Sequence, residues 1–201
     1  ALKRELAAHG MPVIGIYERN EGELRAKEGL EACQGWYGED HPDSCLTVIT
    51  ENGIRYEVDV ENGQKTGFFL DQKYNRLAVR NLAKGRKVLD CCTHTGSFAL
   101  NAALGGAAAV TAVDISESAI AMAKKNAQLN GAAMNFVTAD VFEYLPAQIE
   151  AHADYDFIIL DPPAFTKSRR TYHNAREGYR KINAQAMRLL PRGGILATCS
   201  C

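Results

Sequence analysis

The stretch that decides the fold runs from Lys87 to Ser97 and reads KVLDCCTHTGS. Its apolar first half predicts a strand over 87–92, and its small-residue turn leads into a predicted helix over 98–104. Beyond it, predicted strands and helices keep alternating along the chain. The further strands are expected at 110–115, 135–138, 156–160 and 194–199. This alternation is typical of an α/β fold with a doubly wound parallel sheet.

The first 70 residues show a different pattern, which predicts a small α+β domain over 1–70. A helix is expected at 2–9, a strand at 13–17, and irregular structure over 18–45. Two β-branched runs at 46–50 and 54–60 flank Asn52-Gly53, a dipeptide that favours a tight β-hairpin turn. A helix over 71–82 then opens a second domain, which we expect to cover 71–201.

Composition bounds the class of protein. The 201 residues are 46% hydrophobic, enough for two packed domains, and no apolar run is long enough to span a bilayer. The six cysteines form no CxxC pair and have no histidine at zinc-ligand spacing, so we expect reduced thiols, no metal and a cytoplasmic protein.

The charge is unevenly distributed. A net charge of −1 disfavours a dedicated nucleic-acid binder. The segment 167–181, however, carries six basic residues and one acidic residue. It is either a solvated helix face or an element that contacts phosphates.

The turn after the first parallel strand indicates which cofactor is bound. It contains one glycine, Gly96, whereas a dinucleotide requires a glycine-rich GxGxxG turn for its pyrophosphate. S-adenosylmethionine has no phosphate and carries a sulfonium and an amino acid, so an acid at the strand end and a small turn suit it better. We therefore expect Asp90, Thr93 and Gly96 to bind its methionine part.

Acidic residues also follow the next two strands. Asp114 is placed to accept hydrogen bonds from the ribose hydroxyls, and Asp140 to accept one from the adenine amino group. Their neighbours Ile115 and Val141 complete the predicted nucleoside site. Each acid alone is equally well explained as a helix cap, but acids at three successive strand ends favour a cofactor site.

The fourth strand ends in Asp161-Pro162-Pro163-Ala164-Phe165. Two prolines fix φ and remove N–H donors, so Asp161 and free carbonyls are expected to face a planar, amide-like substrate edge. Asp161 and Pro162 are therefore assigned to the site. A rigid strand exit without catalytic meaning is the alternative interpretation.

This Asp-Pro-Pro motif and the segment QKTGFFLDQ at 64–72 resemble the RlmI-like 23S ribosomal RNA 5-methylcytosine methyltransferases, from about Val13 to Cys201. The resemblance implies a Rossmann-like class I fold, S-adenosylmethionine as methyl donor and ribosomal RNA as substrate. It also implies an RNA-binding PUA domain before Ala1 and further C-terminal strands missing after Cys201. The residues that it implies as walls of the cofactor pocket are Lys65, Thr66, Phe69 and Arg76. For the phenylalanines, a plain interdomain core contact is the alternative.

The same resemblance implies the catalytic residues. Carbon-5 of cytosine is a poor nucleophile and needs a thiolate to add at carbon-6. Cys201 is the implied nucleophile, with Cys199 as the fallback, and Asp161 would hold cytosine N3 or N4. Amino-nitrogen methyltransferases often place an aromatic directly after the second proline, but here Ala164 intervenes, which weighs against N-methylation.

Several alternatives stay open at this point. A methyltransferase of another RNA position or of a small molecule, and a module that binds cofactor or RNA without turnover, share the same motifs. A nicotinamide dehydrogenase is disfavoured because GxGxxG is absent. The sequence does not identify the base that removes the carbon-5 proton, and it does not decide between a monomer and a homodimer.

Overall fold

The fold is known from a computed structural model, which describes residues 1–20, 23–39, 41–166 and 172–200. Cys201 and the first part of the basic segment, 167–171, lie outside the described residues. Two compact units are present: Ala1–Ile49 with Glu57–Phe69, and Thr50–Tyr56 with Leu70–Cys201. The domain boundary at residue 70 stays a prediction. The hairpin tip, Thr50–Tyr56, groups with the second unit.

The first unit contains two short helices and a small antiparallel sheet. Its elements are α1 (Leu2–Ala8), β1 (Tyr17–Asn20), α2 (Glu23–Lys27) and β2 (Cys33–Trp36). The strand predicted at 13–17 is wrong, because β1 begins only at Tyr17 and ends at Asn20. Both α2 and β2 lie in the stretch over 18–45 that was predicted to be irregular. The reason is the pairing of Tyr17 with Trp36, a tertiary contact that overrides local preference.

The predicted hairpin is confirmed as β3 (Leu46–Glu51) and β4 (Ile54–Asp59). At its turn, Asn52 and Gly53 have φ values of 53° and 75°. Two successive positive φ angles are what a two-residue type I′ turn requires. A 3-10 turn over Leu70–Gln72 then leads into α3 (Lys73–Leu82).

The second unit is built on five parallel strands, in the spatial order β7-β6-β5-β8-β9. The sheet elements are β5 (Lys87–Cys91), α4 (Ser97–Leu104), β6 (Ala109–Asp114), α5 (Glu117–Leu129), β7 (Asn135–Thr138), α6 (Val141–Glu150), β8 (Phe157–Leu160), α7 (Tyr172–Leu189) and β9 (Ile195–Thr198). The chain winds outward from β5 to β7 and returns at β8, which confirms the doubly wound, Rossmann-like α/β fold.

The strand register places the functional candidates at one edge of this sheet. Cys91 pairs with Val113 on one side and with Leu160 on the other, and Leu160 pairs with Thr198. The next residue of each strand is therefore at the same level: Cys92, Asp114, Asp161 and Cys199. The strand order reverses between β5 and β8, and open α/β sheets bind ligands at such a point. None of the described helices is both long enough and apolar enough to cross a membrane.

Candidate active site

Asp90, near the end of the central strand β5, is fully buried. Its Oδ2 accepts a hydrogen bond from Thr93 Oγ1 at 2.5 Å and another from the backbone N–H of Ala99 at 2.9 Å. Its Oδ1 has no partner among the described residues. A buried carboxylate oxygen without a donor is costly, so this atom is open to a hydrogen-bond donor from a ligand.

The environment of Asp90 also changes its charge. Burial raises the pKa of Asp90 to about 7, and the negative charges of Asp161 and Asp114 add to that rise. The hydrogen bonds from Thr93 and Ala99 oppose it. Asp90 therefore gains or loses its proton near neutral pH, which is a common property of functional carboxyl groups.

The turn between β5 and α4 has an unusual backbone. Cys92, His94 and Gly96 have φ values of 60°, 52° and 80°. At Gly96 a Cβ atom would also lie 2.9 Å from the Cβ of Ala123, so both the backbone and the close approach of α5 require glycine. Thr95 was missed by the sequence reasoning: its buried Oγ1 lacks a partner among the described residues. Its place beside Gly96 was the available signal.

Asp114 connects this turn to the end of β6. Its Oδ2 accepts from the backbone N–H of His94 at 2.8 Å, and its Oδ1 accepts from the N–H of Ser116 at 3.0 Å. Each carboxylate oxygen keeps a second lone pair, so the oriented group can still accept two ligand hydroxyls. The adjacent Ile115 side chain is 69% exposed.

Asp140 is the N-cap of α6, and its Oδ1 accepts from the backbone N–H of Phe142 at 2.8 Å. The helix-cap interpretation is thus correct for this residue, and that bond occupies one of its two oxygens. Val141 opens α6 and its side chain is buried in the core. Their roles in binding adenine stay predictions.

Asp161 and Cys199 directly follow the paired strands β8 and β9, and both Asp161 and Gln72 influence the Cys199 thiol. Burial raises the pKa of Cys199 to about 11, and the charge of Asp161 acts in the same direction. Cys199 is therefore a protonated thiol, not a ready nucleophile. Gln72 was not among the predicted site residues, although it lies in the quoted 64–72 motif.

The loop after β8 is held by aromatic packing. The Phe165 ring centroid lies 4.5 Å from that of Tyr179 and 5.7 Å from that of Phe142. A Cβ added at Gly178 would lie 3.1 Å from the Phe165 ring, and Pro162 is buried. Phe165 therefore anchors this loop onto α6 and α7.

The remaining predicted residues lie elsewhere in their units. In the first unit, Lys65 and Thr66 line a groove of about 690 Å³ together with Arg19 and Trp36, and Lys65 Nζ lies 4.6 Å from the Phe69 ring centroid. In the second unit, the Arg76 guanidinium is paired with Glu51. Within the described ranges no cluster of three or more histidine, cysteine or acidic side chains could hold a metal ion.

Comparison with known proteins places this geometry in a family. A family model described as S-adenosylmethionine-dependent methyltransferase matches residues 26–201. Ribosomal RNA large subunit methyltransferase I of Serratia proteamaculans is 43% identical over 196 residues, which are 96% of this chain and 49% of the relative. The protein of the same name from Yersinia pseudotuberculosis is 42% identical with the same coverage. The chain thus spans about half the length of these curated relatives.

Solved structures agree. A putative SAM-dependent methyltransferase from Streptococcus mutans superposes with a TM-score of 0.77 at 28% identity, covering 99% of this chain and 50% of that one. A putative methyltransferase complexed with S-adenosylhomocysteine gives a TM-score of 0.77 at 29% identity with the same coverage. The chain belongs to the S-adenosylmethionine-dependent methyltransferase family, and its cofactor is S-adenosylmethionine.

Proposed function

We propose that the protein methylates carbon-5 of a cytosine in large-subunit ribosomal RNA through a cysteine adduct. The family supplies the methyl donor, and the relatives' names supply the substrate class. The observation that carries the proposal is the position of Cys199 and Asp161 at the ends of the paired strands β9 and β8. Cys199 begins the Cys-Ser-Cys sequence, so the proposed nucleophile Cys201 follows it by two residues.

The buried polar atoms of the second unit fit the cofactor. Asp90 Oδ1 has no donor among the described residues, and the α-ammonium of S-adenosylmethionine donates hydrogen bonds that a carboxylate accepts well. We assign Asp90, Thr93 and Gly96 to the methionine part. The nucleoside is assigned to Asp114 and Ile115 at the ribose and to Asp140 and Val141 at the adenine. Lys65, Thr66 and Phe69 stay predicted pocket walls.

The contacts of Arg76 favour a role in supporting the fold near the pocket over direct contact with the cofactor. Its Nε and Nη2 both donate to the Glu51 carboxylate, at 2.6 and 2.9 Å, and the residue is 1% exposed. With this pair formed, the side chain exposes almost no surface to a ligand. We therefore propose that Arg76 supports the start of α3 and does not touch the cofactor.

The chemistry of the target carbon requires a nucleophile from this chain. Bound S-adenosylmethionine supplies an electrophilic methyl group on its sulfonium. The Cys201 thiolate adds to carbon-6 of cytosine, which makes carbon-5 nucleophilic enough to take the methyl group. Loss of the carbon-5 proton to a base then expels the thiolate and restores the aromatic ring. Asp161 is assigned to cytosine N3 or N4, and Pro162 to the rigid strand exit.

The packing of Phe165 supports methylation of carbon over an amino nitrogen. Stacking on a flipped base requires an aromatic ring that is free to face the substrate. The Phe165 ring is instead engaged with Tyr179, Phe142 and Gly178. No other aromatic residue lies in the Asp161–Phe165 motif.

The RNA partner is part of the same proposal. Single-stranded or looped RNA is the easier substrate because its bases are already unstacked. The basic residues of 167–181 are the proposed phosphate contacts, and their described members Arg176, Arg180 and Lys181 lie on α7. A ribosomal RNA substrate also places the proposed site of action in the cytoplasm.

The test uses the full-length protein with large-subunit ribosomal RNA and a labelled methyl donor, and identifies the product nucleoside by mass spectrometry. Cys201→Ala should abolish 5-methylcytidine formation and leave S-adenosylhomocysteine binding intact, because the thiol serves only the target base. Cys33→Ala, at an exposed position of β2 in the first unit, is the matched control.

Three outcomes would overturn parts of the proposal. Full activity of Cys201→Ala would remove Cys201 from the mechanism. Methylation of another RNA position or of a small molecule would contradict the substrate. Binding of S-adenosylhomocysteine without any transfer would favour a non-catalytic module.

A further inference from the structure

The groove of about 690 Å³ in the first unit takes no part in the proposed methyl transfer. The charged residues among its described lining residues are both basic, Arg19 and Lys65. Two aromatic side chains, Tyr17 and Trp36, also line it, and Ile14 adds apolar surface. The groove therefore combines positive charge with aromatic surface.

The aromatic wall of the groove is held in place by its neighbours. The Trp36 ring is stacked on the His41 ring with centroids 5.1 Å apart, and the Tyr17 ring lies perpendicular to Trp36 at 5.2 Å. A Cβ atom at Gly15 would lie 2.7 Å from Trp36 Cζ3 and 2.9 Å from Pro42 Cδ, so this close approach to the indole requires glycine. A ring that is already fixed binds a planar ligand with little loss of side-chain entropy.

The two basic side chains of the groove are positioned by neutral groups. Arg19 Nη1 donates to the backbone carbonyls of Gly63 and Lys65, both at 2.5 Å. Lys65 Nζ lies 4.6 Å from the Phe69 ring centroid. Among the described residues neither cation forms a salt bridge, and the buried Nε of Arg19 has no acceptor. Both charges can therefore attract an anion to the groove.

Two acidic side chains of the same unit are engaged elsewhere. The Asp59 carboxylate accepts from the backbone N–H groups of Glu61 and Asn62, at 3.0 and 2.9 Å. Glu61 Oε1 accepts from the Tyr17 hydroxyl at 3.0 Å. Neither acid belongs to the described lining of the groove, so the charge that a ligand meets there is positive.

We propose that this groove binds a nucleotide of single-stranded RNA. The base lies against the Tyr17 and Trp36 rings. The phosphate lies at Arg19 and Lys65. RNA as the ligand rests on the proposed function, and a groove with both aromatic and basic side chains is typical of proteins that bind single strands. An acidic peptide would match the charge alone, because it offers no base to the rings. The proposal competes with the cofactor-pocket prediction for Lys65 and Thr66, and affinity for S-adenosylhomocysteine separates the two.

The electrostatic part is tested by placing a charge at Ile14, whose side chain lines the groove and is 70% exposed, so that substitutions there should not unfold the protein. In the full-length protein, Ile14→Glu should weaken binding of a labelled single-stranded RNA of about 12 nucleotides about fivefold. Ile14→Lys should strengthen it about threefold. Fluorescence anisotropy at about 0.1 M salt, where distant charges are screened, measures both. Leu30→Glu and Leu30→Lys, at an exposed position outside the described lining, are matched controls that should leave the affinity unchanged.

The aromatic part is tested by photocrosslinking. The same RNA carrying 4-thiouridine, irradiated with the full-length protein, should crosslink to the peptide that contains Trp36, as identified by mass spectrometry. Trp36→Leu should remove this crosslink and weaken RNA binding about tenfold, since stacking of one base on an aromatic ring contributes about that much. Excess S-adenosylhomocysteine should not displace the RNA from this peptide.

Several outcomes would overturn the proposal. Equal RNA affinities in the two Ile14 variants, or crosslinks confined to peptides outside the first unit, would place the RNA elsewhere. Competition by polyglutamate as strong as by unlabelled RNA would favour an acidic peptide, and loss of the Trp36 crosslink with S-adenosylhomocysteine would assign the groove to the cofactor. RNA bound at the groove without any methyl transfer would instead contradict the proposed function and leave the groove assignment standing.

Discussion

Two places in the second unit bury a charged side chain, and they treat it in opposite ways. At the junction of the hairpin tip with α3, Arg76 is 1% exposed and its guanidinium makes two hydrogen bonds to Glu51. At the end of β5, Asp90 is fully buried, and within the described part of the chain one of its oxygens has two donors and the other has none. Arg76 therefore has hydrogen-bond partners inside the fold, whereas one oxygen of Asp90 remains an unsatisfied acceptor among the described residues.

This difference in hydrogen bonding distinguishes the structural junction around Arg76 from the candidate cofactor site around Asp90. The junction continues in further satisfied contacts: Arg80 Nη1 donates to the Asn52 carbonyl at 2.7 Å, and Asn101 Nδ2 donates to Tyr56 Oη at 2.8 Å. The carboxyl edge instead gathers carboxylates, and their mutual repulsion helps to raise the pKa of Asp90. A fold tolerates that cost where a ligand supplies the missing donor.

The largest expected effect comes from breaking the satisfied pair. Glu51→Ala removes the carboxylate that pairs with the buried Arg76 guanidinium, and should lower the free energy of unfolding by about 3–5 kcal/mol in a denaturant titration. Its affinity for S-adenosylhomocysteine, measured under conditions where it stays folded, should not change. The double variant Glu51→Leu with Arg76→Met removes both charges and should recover most of that loss. A large loss of affinity in the double variant would place Arg76 at the cofactor after all.

The next effect is on affinity. Asp114→Ala removes the proposed acceptor of two ribose hydroxyls, and should weaken S-adenosylhomocysteine binding about 100-fold in calorimetry. The parent protein should also bind a 2′-deoxyribose analogue of S-adenosylhomocysteine more weakly than S-adenosylhomocysteine itself. This loss of affinity should be smaller than the loss caused by Asp114→Ala, because the analogue lacks only one of the two hydroxyls. Unchanged affinity in Asp114→Ala would contradict the ribose assignment.

The third effect is a pH dependence with a definite sign. The pKa of Asp90 is raised from its ordinary value to about 7, so its contribution to the stability of the ligand-free protein is present at low pH and is lost as pH rises through about 7. Binding of the ammonium group needs the ionised carboxylate. Affinity for S-adenosylhomocysteine should therefore fall about tenfold per pH unit below 7.

Asp90→Asn is the matched variant for this pH series. It should bind S-adenosylhomocysteine weakly, with no change between pH 5.5 and 8, and its Tm without ligand at pH 8 should be higher than that of the parent. An affinity that stays independent of pH in the parent would show that the Asp90 carboxylate does not meet the ammonium group.

The smallest effect separates a cap from a ligand contact. Asp140→Asn preserves the N-cap of α6, because asparagine caps helices about as well as aspartate. Its Tm should not change, and affinity for S-adenosylhomocysteine should fall only about three- to tenfold, as one acceptor for the adenine amino group is replaced. A fall in Tm at unchanged affinity would leave Asp140 as a helix cap alone.

Features of this molecule that depend on local sequence patterns are predicted well, and features that depend on contacts between distant residues are predicted poorly. The alternation after Lys87 and the Asn52-Gly53 turn are local patterns, and both appear in the structure as expected. The β1–β2 pair was missed because its strands are short and depend on each other. Likewise, the influence of Gln72 on the Cys199 thiol links residues far apart in the sequence, and no local pattern records it.

Among the candidate site residues, the sequence predicts where the acidic side chains lie, but not which of their oxygens already accept hydrogen bonds. The periodicity of the strands is enough to place Asp90, Asp114 and Asp140 at strand ends. Which oxygen already has a donor depends on the turn at Cys92–Gly96, whose left-handed residues no pattern predicted. The same limit applies to Phe165, whose anchoring role depends on Gly178 of a distant helix.

A crystal structure of the protein with S-adenosylhomocysteine tests most directly whether Asp90 and Asp114 hold the cofactor. We predict that the amino group of the ligand lies within about 3.2 Å of Asp90 Oδ1 or of a water bound to it, with the ribose hydroxyls about 2.6–3.2 Å from the Asp114 oxygens. A ligand bound with its ribose and amino groups away from both carboxylates would contradict it.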